Sequence, residues 1–317
     1  MHKRSWLFGL LLIAGVAYAL QKAGPLRGDW EPEQIAPGVY VIHGPTELPS
    51  PSNQGFMNNP AFVVTDEGVV VVDPGSSVQV GEMVLARIEK VTDKPILAVF
   101  NTHIHGDHWL GNQAIRAKYP DVPIYGHERV PPKIEAGAGT QWVDLMLSMT
   151  EQATAGTGVV SADHPVKDGD LIEVGGLSYL VMNNDKAHTD TDIMLYVKEL
   201  DLMFLGDNAG HGRILRLENG SFAGNIVALD NAMETGATVF VPGHGRSGGV
   251  EVPTEYRDYL QTLYSTAQEG VESGLADFEI RPILEPKLEP WSQWAGFDIE
   301  LGGHISGAYL EAEAAAF

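Results

Sequence analysis

Short runs of β-branched residues alternate with amphipathic stretches along most of the chain. "GVYVIHG" (38–44) reads as a first strand. "AFVVT" and "GVVVVD", parted only by "DEG", read as the two arms of a hairpin. Val80, Val84, Ile88 and Val91 then recur at the helical period. "PILAVFN" (95–101) reads as a buried strand, with a helix expected from Gly111 to Lys118. "VPIYGH" is a further short strand, and residues 127–155 read as mostly helical, broken by "PP" and "GAG". Four more strands are expected at 177–185, 192–198, 200–207 and 237–245. After them, an apolar stripe from Tyr256 to Val271 predicts a long helix, with Thr254 as its N-cap and its end near Gly270 or Gly274. The tail from Arg281, rich in Pro and Trp, matches no pattern. "PTELPSPSNQGFMNNP" (45–60) is a loop with an unusually apolar Phe56–Met57 tip.

Composition narrows the classes. The 317 residues are 44% hydrophobic and 20% charged, which is globular. A formal charge of -22 disfavours nucleic acid and anionic membrane surfaces as partners, because both demand Lys and Arg. With no cysteine there is no disulfide and no thiolate ligand, so a metal here must be held by His, Asp or Glu. The N-terminus has a basic "MHKR", an uncharged run from Trp6 to Leu20 and the small-x-small "AYA". This is the pattern of a secretory signal peptide cleaved after Ala19, giving a periplasmic or secreted protein without stable membrane insertion. The expected organisation is a signal peptide (1–19), a polar leader (20–36), a main domain (37–250), and a C-terminal helix and tail (251–317) packed on that domain.

The chemistry concentrates in "NTHIHGDHWLGN" (101–112), directly after the strand "PILAVFN". His103 and His105 are two apart and on an extended segment face the same way. Asp107 and His108 come a turn later and face elsewhere. One cluster facing two directions points to two metals side by side, and Gly106 is read as the bend between the pairs. Three isolated candidates follow, each just past an apolar run: His188 in "KAHTD", Asp207 in "LGDN" and His244 in "PGHG".

"THIHGDH", a His followed by Thr, "LGD" and "PGHG", in that order, resemble the metallo-β-lactamase fold superfamily over about residues 37–250. The resemblance implies a four-layer αββα sandwich with metals at one edge of paired sheets. It implies one zinc on His103, His105 and His188, a second on Asp107, His108 and His244, and Asp207 bridging them. Asp73, in "VVVVDPG", matches a carboxylate that orients a ligand histidine. An aspartate at 207 resembles the glyoxalase II, lactonase and ribonuclease Z branches, whereas many β-lactamases of this fold carry cysteine there. The usual Pro-Gly-His around the third histidine is replaced by "DKAHTDTD", which leaves Lys186 and Asp190 distinctive. The whole chain most resembles exported zinc metallohydrolases found beside quinoprotein or sulfur-oxidation systems.

The implied function is a dinuclear zinc hydrolase in which a hydroxide shared by the ions attacks an ester, thioester, lactone or β-lactam of a small-molecule substrate. Asp107 and Asp207 are the expected catalytic carboxylates. The alternative on the same fold is a persulfide dioxygenase with one Fe2+ on two histidines and one aspartate, His105 outside that set. His211, Phe56, Met57 and Trp109 are expected near the pocket as substrate contacts or an apolar wall. His43, His127, His164 and His304 receive no role. No pattern in the sequence sets an oligomeric state.

Overall fold

The computed structural model describes residues 22–316; the expected signal segment, 1–19, lies outside them. The first sheet runs in chain order: β1 (Glu33–Ala36), β2 (Val39–Val41), β3 (Ala61–Val64), β4 (Val69–Val72), β5 (Ile96–Asn101), β6 (Ile124–His127) and β7 (His164–Val166). Its first four strands pair antiparallel and the rest parallel. The second sheet is β8 (Leu171–Val174), β9 (Leu177–Met182), β10 (Met194–Val197), β11 (Leu202–His211) and β12 (Val239–Gly245). Only β11 and β12 pair in parallel there.

Alternation along β4 and β5 shows why the sheets stack. Val70, Val72, Ala98 and Phe100 face inward, against Tyr179, Val181, Leu195 and Phe204 of the second sheet. Val69, Val71 and Val99 point the other way, onto α1 (Val78–Val91) and α3 (Asn112–Lys118). Strands buried on both faces read as continuous apolar runs, as "VVVV" does. The far face of the second sheet, with Met194, Met203 and Phe240, is covered by α6 (Phe222–Glu234), α7 (Glu251–Glu272) and α9 (Phe297–Ala316). The order of layers is α, β, β, α. Between the halves lie α2 (Gly106–Trp109) and an arm made of α4 (Val130–Lys133), a π-helical turn (Ile134–Ala138) and α5 (Gly139–Met149). Gly137, at φ 115°, breaks that arm. The tail continues as α8 (Asp277–Leu284) and a 3-10 turn before α9.

Three expectations change. The residues before 37 are not a detached leader: β1 pairs with β2, and Leu26 and Trp30 pack on the outer core. β1 lacks the apolar alternation that marks a strand, because it is an edge with Glu33 and Gln34 exposed. Helix α7 starts at Glu251, and Thr254 lies inside it with its hydroxyl donating to the Val250 carbonyl at 2.7 Å. Pro253 fits the first turn because its missing N–H would have no partner there. Finally, the unassigned tail is mostly helical, and Leu284, Leu288, Leu301 and Ile305 join the α6–α7 core.

His304 on α9 is 3% exposed, with its Nδ1 3.0 Å from the Tyr259 hydroxyl. Burial pushes its imidazole down to about 4 from the ordinary 6.5. Unfolding therefore takes up a proton between those values, and stability falls as pH drops from 6.5 toward 4, by on the order of 3 kcal/mol. His304→Asn is expected to flatten this part of the pH dependence. Urea midpoints at about pH 7.5 and about pH 4.5 for both proteins measure it, and an equal loss in both would refute the assignment.

Candidate metal centre

Both halves of the fold deliver ligands to one edge. β5 ends at Asn101, and the chain passes through His103 and His105 into the single turn of α2, which carries Asp107 and His108. His188 sits in the turn between β9 and β10, Asp207 within β11 and His244 within β12. His103, His105, His188 and Asp207 form one group and Asp107, His108 and His244 another, the ligand atoms of each lying within 4.8 Å of one another. Asp207 stands between the groups. Its Oδ2 is 3.7 Å from His103 Nε2, 3.6 Å from His188 Nε2 and 3.4 Å from His244 Nε2; its Oδ1 is 3.2 Å from His108 Nε2. Asp107 Oδ2 lies 3.2 Å from His244 Nε2 and 3.4 Å from His108 Nε2.

These residues fit a pair of metal ions. His103 Nε2, His108 Nε2 and Asp207 Oδ1 are buried and have no hydrogen-bond partner, although such atoms are rarely left unpaired. All seven are nitrogen and oxygen donors suited to zinc and its neighbours. The rear nitrogens are fixed. His108 Nδ1 donates to Asp73 Oδ2 at 2.7 Å, and His244 Nδ1 donates to the Met57 carbonyl at 2.7 Å. Each bond leaves Nε2 as the free lone pair facing the centre. Asp73 is itself held by the Thr102 amide at 2.8 Å and hydroxyl at 2.7 Å, and adopts a left-handed φ of 52° directly after β4. Burial lowers His103 and His105 below the ordinary imidazole range and takes His188 to about 3, so these three are neutral. Burial is the largest single influence on His108 and His244 and acts downward, but the carboxylates of Asp207 and Asp107, with Asp73 at His108, together outweigh it and raise both. For Asp107 and Asp207 burial acts upward, yet His108 and His244 hold both well below the ordinary carboxylate range.

Two glycines make this packing possible. A Cβ on Gly243 would sit 1.9 Å from Asp207 Oδ1, so glycine in "PGHG" is what lets the carboxylate reach the centre. Gly106 does not serve as a positive-φ bend; a Cβ there would strike Trp142 of α5 at 2.9 Å. The constraint is close approach of the arm, whose Trp142 ring lies 5.0 Å from His105.

Of the seven candidate ligands only His105 is half-exposed, and a cavity of about 780 Å3 opens on it. Ile104, Trp142 and Leu145 form an apolar wall; Thr189, Asn219 and Lys186 a polar one. Asp190 also lines this cavity and is paired with Lys133 at 2.7 Å. The other expected contacts lie elsewhere. Phe56 is 0% exposed and packs edge-on against Trp30, and Trp109 is 1% exposed beneath the ligand loop, its indole donating to the Ile104 carbonyl. Both are core, since nothing of either ring is left for a substrate. Met57 meets the centre through its carbonyl alone. His211 is tied to the Arg246 carbonyl at 2.9 Å and faces Glu255 and Trp294, not the cavity.

Sequence reasoning missed three contributors. Asn59 holds the Pro242 and Gly245 carbonyls on either side of His244 at 2.9 and 2.7 Å. Asp192 accepts from the Thr189 amide and hydroxyl at 2.6 and 2.7 Å, closing the loop that carries His188, and burial pushes its carboxyl up to about 7. Trp142 walls the cavity from 34 residues beyond His108. The "HTDTD" run was a local cue for Asp192; nothing local marks Asn59 or Trp142.

Comparison with known proteins agrees with this geometry. The chain is 29% identical over 164 residues to a hydroxyacylglutathione hydrolase of Yersinia enterocolitica, a match covering 50% of this chain and 51% of that one. It spans about half or less of the length of the first curated relatives it resembles. Its fold is similar to that of the stereoselective inverting sec-alkylsulfatase Pisa1 from Pseudomonas sp. (TM-score 0.68, 15% identity, 88% of this chain and 50% of that one). It is also similar to that of a metallo-beta-lactamase from Pontibacter korlensis (TM-score 0.54, 20% identity, 74% and 99%). The pattern of the metallo-beta-lactamase superfamily matches residues 54–244, and with the two-sheet sandwich and its His/Asp centre this places the chain in that superfamily.

Proposed function

We propose that this chain is an exported hydrolase with two zinc ions, acting on an ester, thioester, lactone or β-lactam of a small molecule. The observation that carries this reading is Asp207, placed within 3.7 Å of imidazoles from both ligand groups, as a shared ligand must be. When bound, a pair of zinc ions supplies a water acidified to a pKa of roughly 7 and Lewis acidity toward the scissile group. The chain's residues do the rest. Asp73 and the Met57 carbonyl hold the Nδ1 protons of His108 and His244, so neither ring turns away. Asp107 and Asp207 remain ionised and are the proton-accepting oxygens of the centre. Ile104 and Trp142 keep one wall of the cavity dry, which strengthens electrostatic effects beside His105. The relative and the two fold neighbours carry names of different hydrolases, so they support the reaction type and leave the substrate to be found by assay. Export rests on the uncharged run from Trp6 to Leu20 after a basic start. Among the described residues no helix is long and apolar enough to cross a membrane.

Elemental analysis of the purified protein, followed by a panel of esters, thioesters, lactones and β-lactams, tests the reading. Two zinc per chain and metal-dependent turnover are expected; one iron per chain with oxygen uptake on glutathione persulfide would replace it. His103→Ala and Asp207→Ala are expected to lower kcat/KM by at least about a thousandfold while leaving circular dichroism unchanged, and turnover retained in the metal-depleted double variant would sink the proposal. Gly243→Ala should act at a distance from any substrate: displacing Asp207 Oδ1 is expected to weaken metal affinity by about 10–100-fold, read by competition with a chromophoric chelator. Affinity equal to the parent's would show that Asp207 is not a ligand.

A further inference from the structure

Away from the metal centre, one cluster brings a hydroxyl, an imidazole and a carboxylate into succession, each within 3.3 Å of the next. Ser247 Oγ is 3.0 Å from His43 Nε2, and His43 Nδ1 is 3.3 Å from Glu33 Oε2. The backbone N–H of Ser247 also points at His43 Nε2, at 3.2 Å. A backbone N–H only donates, so Nε2 is the unprotonated nitrogen and Nδ1 carries the proton toward Glu33. That is the tautomer a general base needs, with the single Nε2 lone pair shared between the Ser247 amide and its hydroxyl. The amide bond alone would suffice to fasten the two loops. The additional hydroxyl on Nε2 and carboxylate on Nδ1 are what a nucleophile requires and a loop tie does not.

The three residues come from β1, from the segment after β2 and from the loop after β12, so tertiary structure alone assembles them. They line a cavity of about 430 Å3 together with Thr46 and Arg246. That volume is within the range of small-molecule sites. Ser247 is half-buried and reachable. Burial lowers the His43 imidazole, against the upward pull of Glu33, which keeps it neutral at physiological pH. Arg246 makes no ion pair within 4.0 Å among the described residues and is close enough to lower His43 electrostatically.

We propose that Ser247 is a second, metal-independent nucleophile that accepts acyl groups from small activated esters, with His43 as its base and Glu33 orienting the ring. Ser247 Oγ bonds to the ester carbonyl carbon as its proton passes to His43 Nε2. The bond from that carbon to the alcohol oxygen breaks, and the alcohol leaves with the proton. Water then adds to the acyl carbon, the bond to Oγ breaks, and the carboxylic acid departs with the serine restored. Arg246, in the same cavity wall, is the cation available to the developing oxyanion. This site does not depend on the reading of the metal centre.

A fluorophosphonate tests it directly, because attack forms an Oγ–P bond, releases fluoride and leaves the serine proton on His43. The metal-replete full chain is treated with the probe, and adducts are counted by intact mass and placed by peptide mapping. One adduct on Ser247 is expected, forming about a hundredfold faster than in His43→Gln. Glu33 is 70% exposed, so Glu33→Gln leaves packing intact and is expected to slow labelling about tenfold. No adduct on Ser247, or labelling at the same rate in parent and variants, overturns the proposal.

Discussion

The structure turns on the burial of Asp207. A carboxylate at 5% exposure is costly unless positive charge or hydrogen bonds compensate it. Here four imidazoles surround it, yet its Oδ1 and two of the facing Nε2 atoms have no hydrogen-bond partner. A site with that inventory is suited to bound cations, which is why the candidate ligand set and the fold cannot be considered separately.

Convergence is achieved by strand ends and by absent side chains. β5 delivers His103 and His105, while β11 and β12, parallel neighbours, deliver Asp207 and His244 side by side. Parallel pairing puts corresponding ends of the two strands at the same edge, where loops gather functional groups. Gly243 removes the atom that would collide with Asp207, and Gly106 removes the one that would collide with Trp142. Asp73, Asn59 and Asp192 then fix three ligand loops through hydrogen bonds that use no metal at all. The centre is thus preorganised by the chain.

The C-terminal helices extend the same logic to the outer layer. The far face of the second sheet is apolar, and α6, α7 and α9 cover it with Tyr256, Leu260, Leu263 and Ile305. Beneath that cover β11 runs over ten residues, with register irregularities against β12 on both sides of Gly206, and Asp207 lies in its middle. The His43–Ser247 pair shows the complementary case, in which loops at the same sheet edge bring together residues 204 apart.

Much of this was legible in the sequence. Periodicity located the hairpin of β3 and β4, the strand before the ligand loop and four of the five strands of the second sheet, β9 to β12. The spacing of "THIHGDH" already separated two ligand pairs, because a period of two and a following turn face different directions. Those features are local, set by backbone geometry and by which face of a strand is buried. The remainder depended on neighbours far away in the chain. Strand β1 is legible only through its pairing with β2, and the tail's helices only through the sheet face they cover. Phe56 and Trp109 read as pocket residues until packing placed them in the core. Gly106 reads as a hinge until Trp142 is seen against it. The sequence by itself determined the metal-binding chemistry, since ligand type and spacing are written locally; only the tertiary structure decided which walls surround it, because close approach between distant segments leaves no periodic trace.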